Sequence, residues 1–221
     1  CQCTPLTSDD IVNMVGVDQV DLEYTFNHYL QWYGYGDADT VEIGTGTGTT
    51  NYLPAYLWYH NAYTQQIYTP EEVGGAGHLS SISFYHATSS ASPVTETLKI
   101  YLSNTDKSSF SSSSDWDLNE KTLVYEGTVT FSEEGWVDFP FVQTGFDYDG
   151  VSNLLVTVIG HHTTYANYHS FAQSNTPNGA YMAAYKYRDA NPEYTNENVA
   201  TEGGTENTVS HRNDVRFGVR Q

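Results

Sequence analysis

Apolar and polar residues alternate with a period of two in several short stretches of the chain. Ile82 and Phe84 show the pattern in residues 79–86, where they share one face. Because successive side chains of a strand point to opposite faces, such a stretch predicts a half-buried β-strand. Residues 153–159 are apolar on both faces, which predicts a central strand. Further strands are predicted at residues 97–103, 123–131, 136–142, 181–187 and 215–219.

One short segment carries a helix-start pattern instead. Thr69 can cap a helix, Pro70 suits the first helical position, and Glu72 completes a capping box. Gly74 and Gly75 follow at once, and glycine commonly ends a helix. The sequence therefore predicts a single helical turn.

The series of strands separated by polar turns is typical of a sandwich or a jelly roll. We predict an all-β fold, a jelly-roll-like β-sandwich with a single short helical turn and an N-terminal extended arm. The sandwich is predicted over residues 44–221 and the arm over residues 1–43, with strands able to form in its aromatic-rich part at residues 22–35. The arm packs on its own domain, as sequential strands usually do, or residues 7–35 add a strand to the sheet of another copy.

Two long polar segments interrupt the series of strands. Residues 107–118 contain four consecutive serines, and residues 189–212 are rich in Asn, Glu, Thr and Gly. Long loops in a compact domain are often functional and otherwise mobile. We expect the second loop to be the first place to look for a partner surface.

The charge of the chain excludes some partners. Its 27 acidic residues outnumber its 8 Lys and Arg residues, and the formal net charge is −19. Nucleic acid and anionic membranes are polyanions and repel such a surface, so neither is expected as a partner. Neutral sugars, cations such as calcium and basic partners are compatible with it, and solubility alone also explains it. No apolar run approaches the ~20 residues of a transmembrane helix.

The two cysteines lie at the start of the chain. Cys1 and Cys3 are too close in sequence for an ordinary disulfide, and zinc or iron–sulfur sites need more thiols or imidazoles at wider spacing. Cys1 in place of Met is compatible with the lipidated start of a mature bacterial lipoprotein. An arbitrary boundary in a longer protein explains it as well.

Clusters of aromatic residues are candidates for sugar binding, because Trp and Tyr faces stack on pyranose rings and nearby polar groups bind hydroxyls. Aromatic residues of strands are also frequent in cores and cross-strand pairs, which is the alternative. We assign Trp116 and Trp136 to packing. The candidate ligand-binding residues are Tyr56, Trp58, Tyr59 and His60 in one group and Tyr165, Tyr168 and His169 in another.

One acidic turn resembles a calcium loop. Asp147, Asp149 and Asn153 offer oxygen ligands around Gly150, but no bidentate Glu follows at the EF-hand spacing. A plain Asp-Gly turn leading into a strand explains the segment equally well. No cofactor is required by the sequence, and calcium is the one that its acidity admits. A transition-metal site at the adjacent His161 and His162 is disfavoured because neighbouring residues of a strand point to opposite faces.

No catalytic motif is present in the sequence. A Gly-x-Ser-x-Gly elbow is absent, and no cysteine occurs after Cys3. Pairs of carboxylates are abundant, but a glycosidase pair is defined by its separation across a cleft, which sequence does not show. We therefore expect a protein that is not an enzyme.

Several short segments together resemble a β-sandwich module that is repeated in large surface and secreted proteins of Bacteroidetes. The resemblance covers residues 44–219, and it implies an extracellular jelly roll in proteins tied to adhesion, polysaccharide use or surface structure. It implies no catalytic residues. The segments that carry it are residues 65–74 (QQIYTPEEVG), 82–84 (ISF), 100–102 (IYL), 109–110 (SF), 115–116 (DW), 135–137 (GWV), 146–150 (FDYDG), 153–156 (NLLV) and 213–217 (NDVRF).

The expected function is therefore a non-catalytic extracellular adhesion or binding module, located outside the cell or on a bacterial surface. Polysaccharide or a surface glycan is the favoured ligand. The alternative is a structural subunit of a surface filament or array that assembles through residues 7–35. A glycosidase or peptidase on the same scaffold is the third hypothesis, and it requires turnover that one carboxylate substitution abolishes.

Overall fold

A computed structural model describes residues 39–46, 48–88, 92–141, 145–162 and 169–220 of the chain. Of the predicted N-terminal arm, only residues 39–43 fall within these ranges. The predicted assembly segment at residues 7–35 lies outside them.

Strands account for nearly all the regular structure of the described residues, with one short helix, α1 (Pro70–Val73), and one 3-10 turn (Pro177–Gly179). Neither helical segment is long enough to cross a bilayer, and the described residues contain no other helix. The strands are β1 (Asp39–Ile43), β2 (Gly48–Thr50), β3 (Asn61–Tyr68), β4 (Gly77–His86), β5 (Val94–Thr105), β6 (Thr122–Phe131), β7 (Gly135–Pro140), β8 (Phe146–Tyr148), β9 (Asn153–His161), β10 (Phe171–Asn175), β11 (Ala183–Arg188), β12 (Thr205–Val209), β13 (His211–Asn213) and β14 (Val215–Arg220).

The strands form two antiparallel sheets. The first sheet has the order β1-β14-β4-β10-β13, with β2 beside β10 and with β7 and β8 beside β4. The second sheet has the order β12-β11-β3-β9-β5-β6. The two sheets form a sandwich, so the predicted all-β class is confirmed. Strand β1 pairs along its length with β14, which places residues 39–43 in the first sheet although we had assigned them to the arm.

The main core lies between the two sheets and follows the predicted alternation. Ile82 and Phe84 of β4 are fully buried, as are Leu98 and Ile100 of β5. Side chains from both sheets meet in one hydrophobic cluster, to which β9 contributes Val158. Burying such aliphatic and aromatic side chains is the main stabilising contribution to the sandwich, about 1.5–3 kcal/mol for each side chain.

A second core covers the outer face of the second sheet. Tyr63 of β3 and Leu155 of β9 point to this face and are fully buried. They pack against Phe110 and Trp116 from the first long loop and against Tyr194 from the second. Strand β9 is therefore buried on both faces, as its sequence predicted. The two long loops form a layer over the sheet, and the second of them contains β12.

Strand β3 was not predicted, because its middle is polar. Gln65 and Gln66 are nevertheless fully buried. The Gln66 side-chain amide donates to Asn213 Oδ1 at 2.9 Å, and the Asn213 backbone N–H donates to Gln66 Oε1 at 2.8 Å. Hydrogen bonding of this kind is what permits polar side chains in a core.

Helix α1 has the predicted capping. The Thr69 backbone N–H donates to Glu72 Oε2 at 2.9 Å, which completes the capping box. Gly74 ends the helix with φ of 90°, a left-handed conformation that favours glycine. The prediction of a single helical turn is confirmed.

Candidate functional site

The outer face of the first sheet carries polar and aromatic side chains in rows that cross β1, β14, β4 and β7. The central strand β4 sets the alternation, because Ser81, Ser83 and Tyr85 point outward while Ile82 and Phe84 point into the core. Strand period therefore places every second residue of these strands on one open surface. We call this surface the outer sheet face.

Two adjacent rows of the outer sheet face line a hollow of about 750 Å³. Its first row consists of small side chains, and its second row is charged and polar. This volume lies in the range of about 300–1,000 Å³ that is usual for ligand sites. The first row is Thr40, Gly218, Ser81 and Pro140, and the second is Glu42, Arg216, Ser83 and Asp138.

A second hollow of about 540 Å³ adjoins the first at Glu42. Tyr85 and Trp136 line it, and their rings meet edge to face with centroids 5.5 Å apart. The opposite side of this hollow is a turn at residues 44–46, which wraps around Asp214. Gly44 has φ of 112°, and a Cβ there would lie 2.0 Å from the Asp214 carboxylate, so the turn requires glycine.

Asp214 holds that turn in place from below. Its Oδ2 accepts from the Gly46 N–H and its Oδ1 accepts from the Ser174 hydroxyl, both at 2.6 Å. Asp214 is 4% exposed, and burial raises the pKa of its carboxyl, whereas these two hydrogen bonds act in the opposite direction. The carboxylate is therefore part of the scaffold of the second hollow.

Arg216 forms a ridge between the two hollows. Its guanidinium carbon lies 4.0 Å from the centroid of the Trp136 ring, a cation–π contact, and its Nε donates to Glu42 Oε2 at 2.8 Å. A guanidinium has five N–H donors, and no described residue accepts from the remaining four of Arg216. These donors are held in place beside the first hollow, next to Trp136 of the second.

The outer sheet face is acidic. Glu42, Asp138, Glu134 and Asp214 line the two hollows, and Arg216 is their cationic residue. Asp138 accepts from the Ser83 hydroxyl at 2.6 Å, and Glu134 accepts from the Tyr85 hydroxyl at 3.2 Å, which raises the pKa of Tyr85. The excess of carboxylates opposes a polyanionic ligand.

Two of the predicted ligand-binding residues belong to a tyrosine cluster at the other sheet. Tyr56 and Tyr59 meet Tyr187 of β11 with ring centroids 4.8 and 4.3 Å apart. Tyr52 stacks on Tyr185 at 4.4 Å with 5° between the ring planes. Each such pair contributes about 0.5–1.5 kcal/mol beyond burial.

The tyrosine cluster fixes the segment at residues 51–60 against the second sheet. Leu53, Ala55 and Leu57 of this segment are buried, whereas its tyrosines are only partly buried. Burial and the neighbouring phenols raise the pKa of both Tyr185 and Tyr187. The rings thus pack on one another, and the assignment of Tyr56 and Tyr59 to a sugar platform stays a prediction.

The other residues of that predicted group lie beside the cluster. Trp58 is half-buried, and the His60 ring lies 5.6 Å from the His162 ring. His162 itself is buried beside Glu96, whereas the preceding His161 contacts Glu193 on the outer face. The two adjacent histidines point to opposite faces, as predicted.

Of the second predicted group, His169 alone falls within the described residues. Tyr165 and Tyr168 fall outside the described residues. His169 is 3% exposed, and its Nδ1 lies 2.9 Å from Nε2 of the buried His86. Its Nε2 contacts the Ser92 carbonyl at 3.1 Å, and burial lowers its pKa. An imidazole that is so little exposed does not favour direct contact with a ligand, and the assignment of His169 to a glycan site stays a prediction.

The predicted calcium residues point to three different partners. Asp147 contacts His78 at 2.7 Å, and Asn153 donates to the Lys107 carbonyl at 3.2 Å. Asp149 accepts from two backbone N–H groups and from the Ser152 hydroxyl, which is the turn that we had kept as the alternative. Within the described ranges, no three His, Cys, Asp or Glu side chains are grouped as a metal site. Calcium binding by this chain stays a prediction.

Sequence reasoning missed the residues of the outer sheet face. We assigned Trp136 to packing, yet it is half-buried at the surface, whereas Trp116 is 7% exposed and packed as expected. The alternation within residues 136–142 could have indicated this surface, because it places Trp136 and Asp138 on the face opposite Phe139. Nothing in the sequence placed Arg216 beside Trp136, because β14 and β7 are far apart along the chain.

Comparison with known proteins adds little. No family model matches the chain, and no curated protein matches it. Two solved structures are similar at 13% identity. The clostridial cysteine protease Cwp84 after propeptide cleavage has a TM-score of 0.37 over 81% of this chain and 40% of its own. The cysteine protease and lectin-like domains of Cwp84, a surface layer associated protein of Clostridium difficile, have a TM-score of 0.34 over 72% and 32%. This chain spans less than half of either, and likeness at this level carries no argument about function.

Proposed function

We propose that this chain is a non-catalytic binding module that takes a neutral polysaccharide on the outer sheet face. The observation that carries the proposal is the pair of hollows, about 750 and 540 Å³, that adjoin at Glu42, with Arg216 lining the first and Tyr85 and Trp136 lining the second. Aromatic rings with a few fixed polar groups are the usual plan of a sugar site. The proposed location is outside the cell or on a bacterial surface, as the resemblance to the Bacteroidetes module implies.

The uneven covering of the two sheets supports this choice of surface. The outer face of the second sheet is packed under two loops through Phe110, Trp116 and Tyr194. The outer sheet face of the first sheet instead presents hydroxyl, carboxylate and guanidinium groups around its hollows. Hydroxyl-rich ligands can exchange hydrogen bonds with such groups without burying a charge of their own.

The non-catalytic part of the proposal rests on how the carboxylates are used. Glu42 is paired with Arg216, Asp138 with Ser83, and Asp214 with the Gly46 turn. Each therefore has a partner that fixes its position, as expected for groups that orient a ligand. A glycosidase would instead need an acid and a base or nucleophile set apart across a cleft.

Binding to a panel of purified polysaccharides tests the proposal. Isothermal titration with xylan, mannan, galactan and mixed-linkage β-glucan should give binding to at least one of them, and polygalacturonate should not bind. Trp136→Ala should weaken that binding by about tenfold or more, because it removes the stacking surface. Each titration is run once with calcium and once with a chelator, because calcium is the one cofactor that the acidic sequence is compatible with.

Tyr181→Ala is the matched control, because Tyr181 is 53% exposed and lies outside both hollows. It should leave the affinity unchanged. Urea unfolding of both variants checks that they are folded. Failure of every polymer to bind would refute the proposed function, and equal losses in the two variants would remove the outer sheet face from it.

A further inference from the structure

We infer that the outer sheet face recognises internal segments of an extended neutral glycan, and that Arg216 is the specificity-determining contact that bridges its two subsites. This inference rests on the proposed function. It goes further because it excludes monosaccharides and chain ends as the preferred ligand. It also assigns a role to a residue that lies between the hollows.

The two hollows follow one another along the strand direction. The first hollow extends as far as Pro140 of β7, and the second is lined by Trp136 of the same strand, four residues away. With a rise of about 3.3 Å per residue, the row of Pro140 and the row of Trp136 lie about 13 Å apart, and the second hollow extends beyond Trp136 to Glu134. A single pyranose ring fills only part of this length, so an extended segment of several sugars is needed.

The ends of the surface differ in their lining. Thr40, Ser81 and Gly218 line the far end of the first hollow. Beyond Trp136 the second hollow is flanked by Ala87 and by Glu134, whose carboxylate accepts from the Tyr85 hydroxyl. A site for a chain end needs a wall that stops the polymer. Among the described lining residues, those of the first end are small and Glu134 at the second is bonded to Tyr85, so these residues leave room for a polymer to continue.

Arg216 lines the first hollow and lies at its border with the second, whose lining residues Glu42 and Trp136 it contacts. Glu42 engages only its Nε, and the face of its guanidinium packs on Trp136. Its two terminal amino groups retain four donors, which match the hydroxyl groups of consecutive sugars. Because the guanidinium is already held in position, little conformational entropy is lost when those hydrogen bonds form.

The charge of the surroundings determines which glycans fit. A uronate could pair with Arg216, but it would lie among Glu42, Asp138, Glu134 and Asp214. With Arg216 already paired to Glu42, the remaining three carboxylates would repel an anionic sugar. The structure therefore favours uncharged polymers over polyuronates.

A length series tests the inference. The probes are β-1,4-linked oligomers of xylose, glucose and mannose with one to eight units, titrated by calorimetry together with the parent polymers. Affinity should rise with length and level off at about four units or more, since that length covers both hollows. Oligomers whose reducing end has been converted to the alditol should bind equally well. Oligogalacturonates of the same lengths should bind at least tenfold more weakly.

Substitution of Arg216 gives the second measurement. Arg216→Ala should weaken binding of the hexamer about tenfold and flatten the length dependence, because the contact between subsites is lost. Lys99→Ala is the matched control, because the Lys99–Glu126 ion pair is about as exposed as the Arg216–Glu42 pair. The side chains of Lys99 and Glu126 are 39% and 49% exposed, and those of Arg216 and Glu42 are 37% and 51% exposed. The control substitution removes the same charge from the other sheet and should have no effect.

The outcomes separate this inference from the proposed function. Binding of a mono- or disaccharide as tightly as the hexamer, or loss of binding on reduction of the end, would overturn the inference while the proposed function stood. An Arg216→Ala variant with an unchanged length series would overturn the assigned role of Arg216. Failure of every oligomer and every parent polymer to bind would refute both.

Discussion

Glu96 and His162 form a pair in the interior of the sandwich. Their side chains are each 2% exposed, and Nδ1 of His162 lies 2.6 Å from Oε2 of Glu96. Burial raises the pKa of the Glu96 carboxyl, and the neighbouring imidazole acts in the opposite direction. A buried pair of this kind is weak evidence for stability, because desolvation offsets the attraction.

We predict that Glu96 makes the stability of the protein depend on pH. A raised pKa means that the folded chain binds the Glu96 proton more tightly than the unfolded chain does. Its contribution to the free energy of unfolding is therefore full below the pKa of an unfolded Glu, about 4.3, and declines as the pH rises through the raised value. Glu96→Gln stays neutral and should lack this decline.

Urea unfolding of the wild type and of Glu96→Gln at a series of pH values from about 4 to 7 measures this effect. The difference in unfolding free energy should shift in favour of the Gln variant as the pH rises. Glu120→Gln, at an exposed position, should keep the wild-type profile. A constant difference between Glu96→Gln and the wild type across the series would contradict the prediction.

Single residues also show why the sequence misled us about β3. An exposed Gln and a buried Gln look alike in a sequence, and the difference at Gln66 is made by Asn213, which is 147 positions away. The same limit applies to the candidate site. Trp136 could be placed on a strand by its neighbours, but its contact with Arg216 depends on which strands are adjacent in the sheet.

Among the elements, helix α1 combines a local role with a distant one. Glu72 caps the helix through Oε2, and its Oε1 is paired with Arg212, which is 4% exposed. The guanidinium of Arg212 also lies over the Tyr68 ring, with its carbon 4.5 Å from the ring centroid. The sequence predicted that Glu72 caps the helix. It did not predict that Glu72 is also the ion-pair partner of the buried Arg212.

We predict that Glu72→Ala destabilises the protein by about 2–4 kcal/mol, since Arg212 would remain buried without its carboxylate. Glu71→Ala is the control within the same helical turn. Glu71 is exposed, and its loss should cost at most about 0.5 kcal/mol. Chemical denaturation measures both values, and similar losses in the two variants would show that Glu72 acts only through the helix.

Element boundaries were predictable to the extent that alternation was visible. The strand predicted at residues 79–86 is β4 at Gly77–His86, and the one predicted at 153–159 is β9 at Asn153–His161. Strands β12 and β13 were hidden in a segment that we had treated as a loop. Strand β12 is mostly exposed at the edge of the second sheet, whereas Arg212 and Asn213 of β13 are buried polar residues of the first. Tertiary pairing with β11 and β10 decides the conformation of these two strands.

At the scale of the molecule, the two long loops act as structural layers. Tyr194 is 2% exposed, its hydroxyl donates to the Gly203 carbonyl at 2.9 Å, and the Arg188 guanidinium lies over its ring. This loop was our first suspect for a partner surface. Its central aromatic side chain instead points inward, onto the second sheet.

We predict that Tyr194→Ala lowers the free energy of unfolding by about 3–4 kcal/mol, because it leaves a cavity in the second core. The affinity for a neutral polymer on the opposite sheet should not change, since distant sites are additive. Denaturation and titration of the same variant test both parts. Tyr181→Ala, at a 53% exposed position, should change neither quantity. A Tyr194 variant that loses binding while folded would assign the loop to the ligand.

The alternation in β4 has a consequence for how this protein can change over evolutionary time. Ser81, Ser83 and Tyr85 belong to the proposed recognition surface, while Ile82 and Phe84 belong to the core. Positions proposed for recognition thus alternate along one strand with positions that stabilise the core. Outward positions can diversify while the inward ones stay constant, so one scaffold can acquire new specificities without refolding. A library randomised only at the outward positions of β4, β7 and β14 would sample those specificities directly.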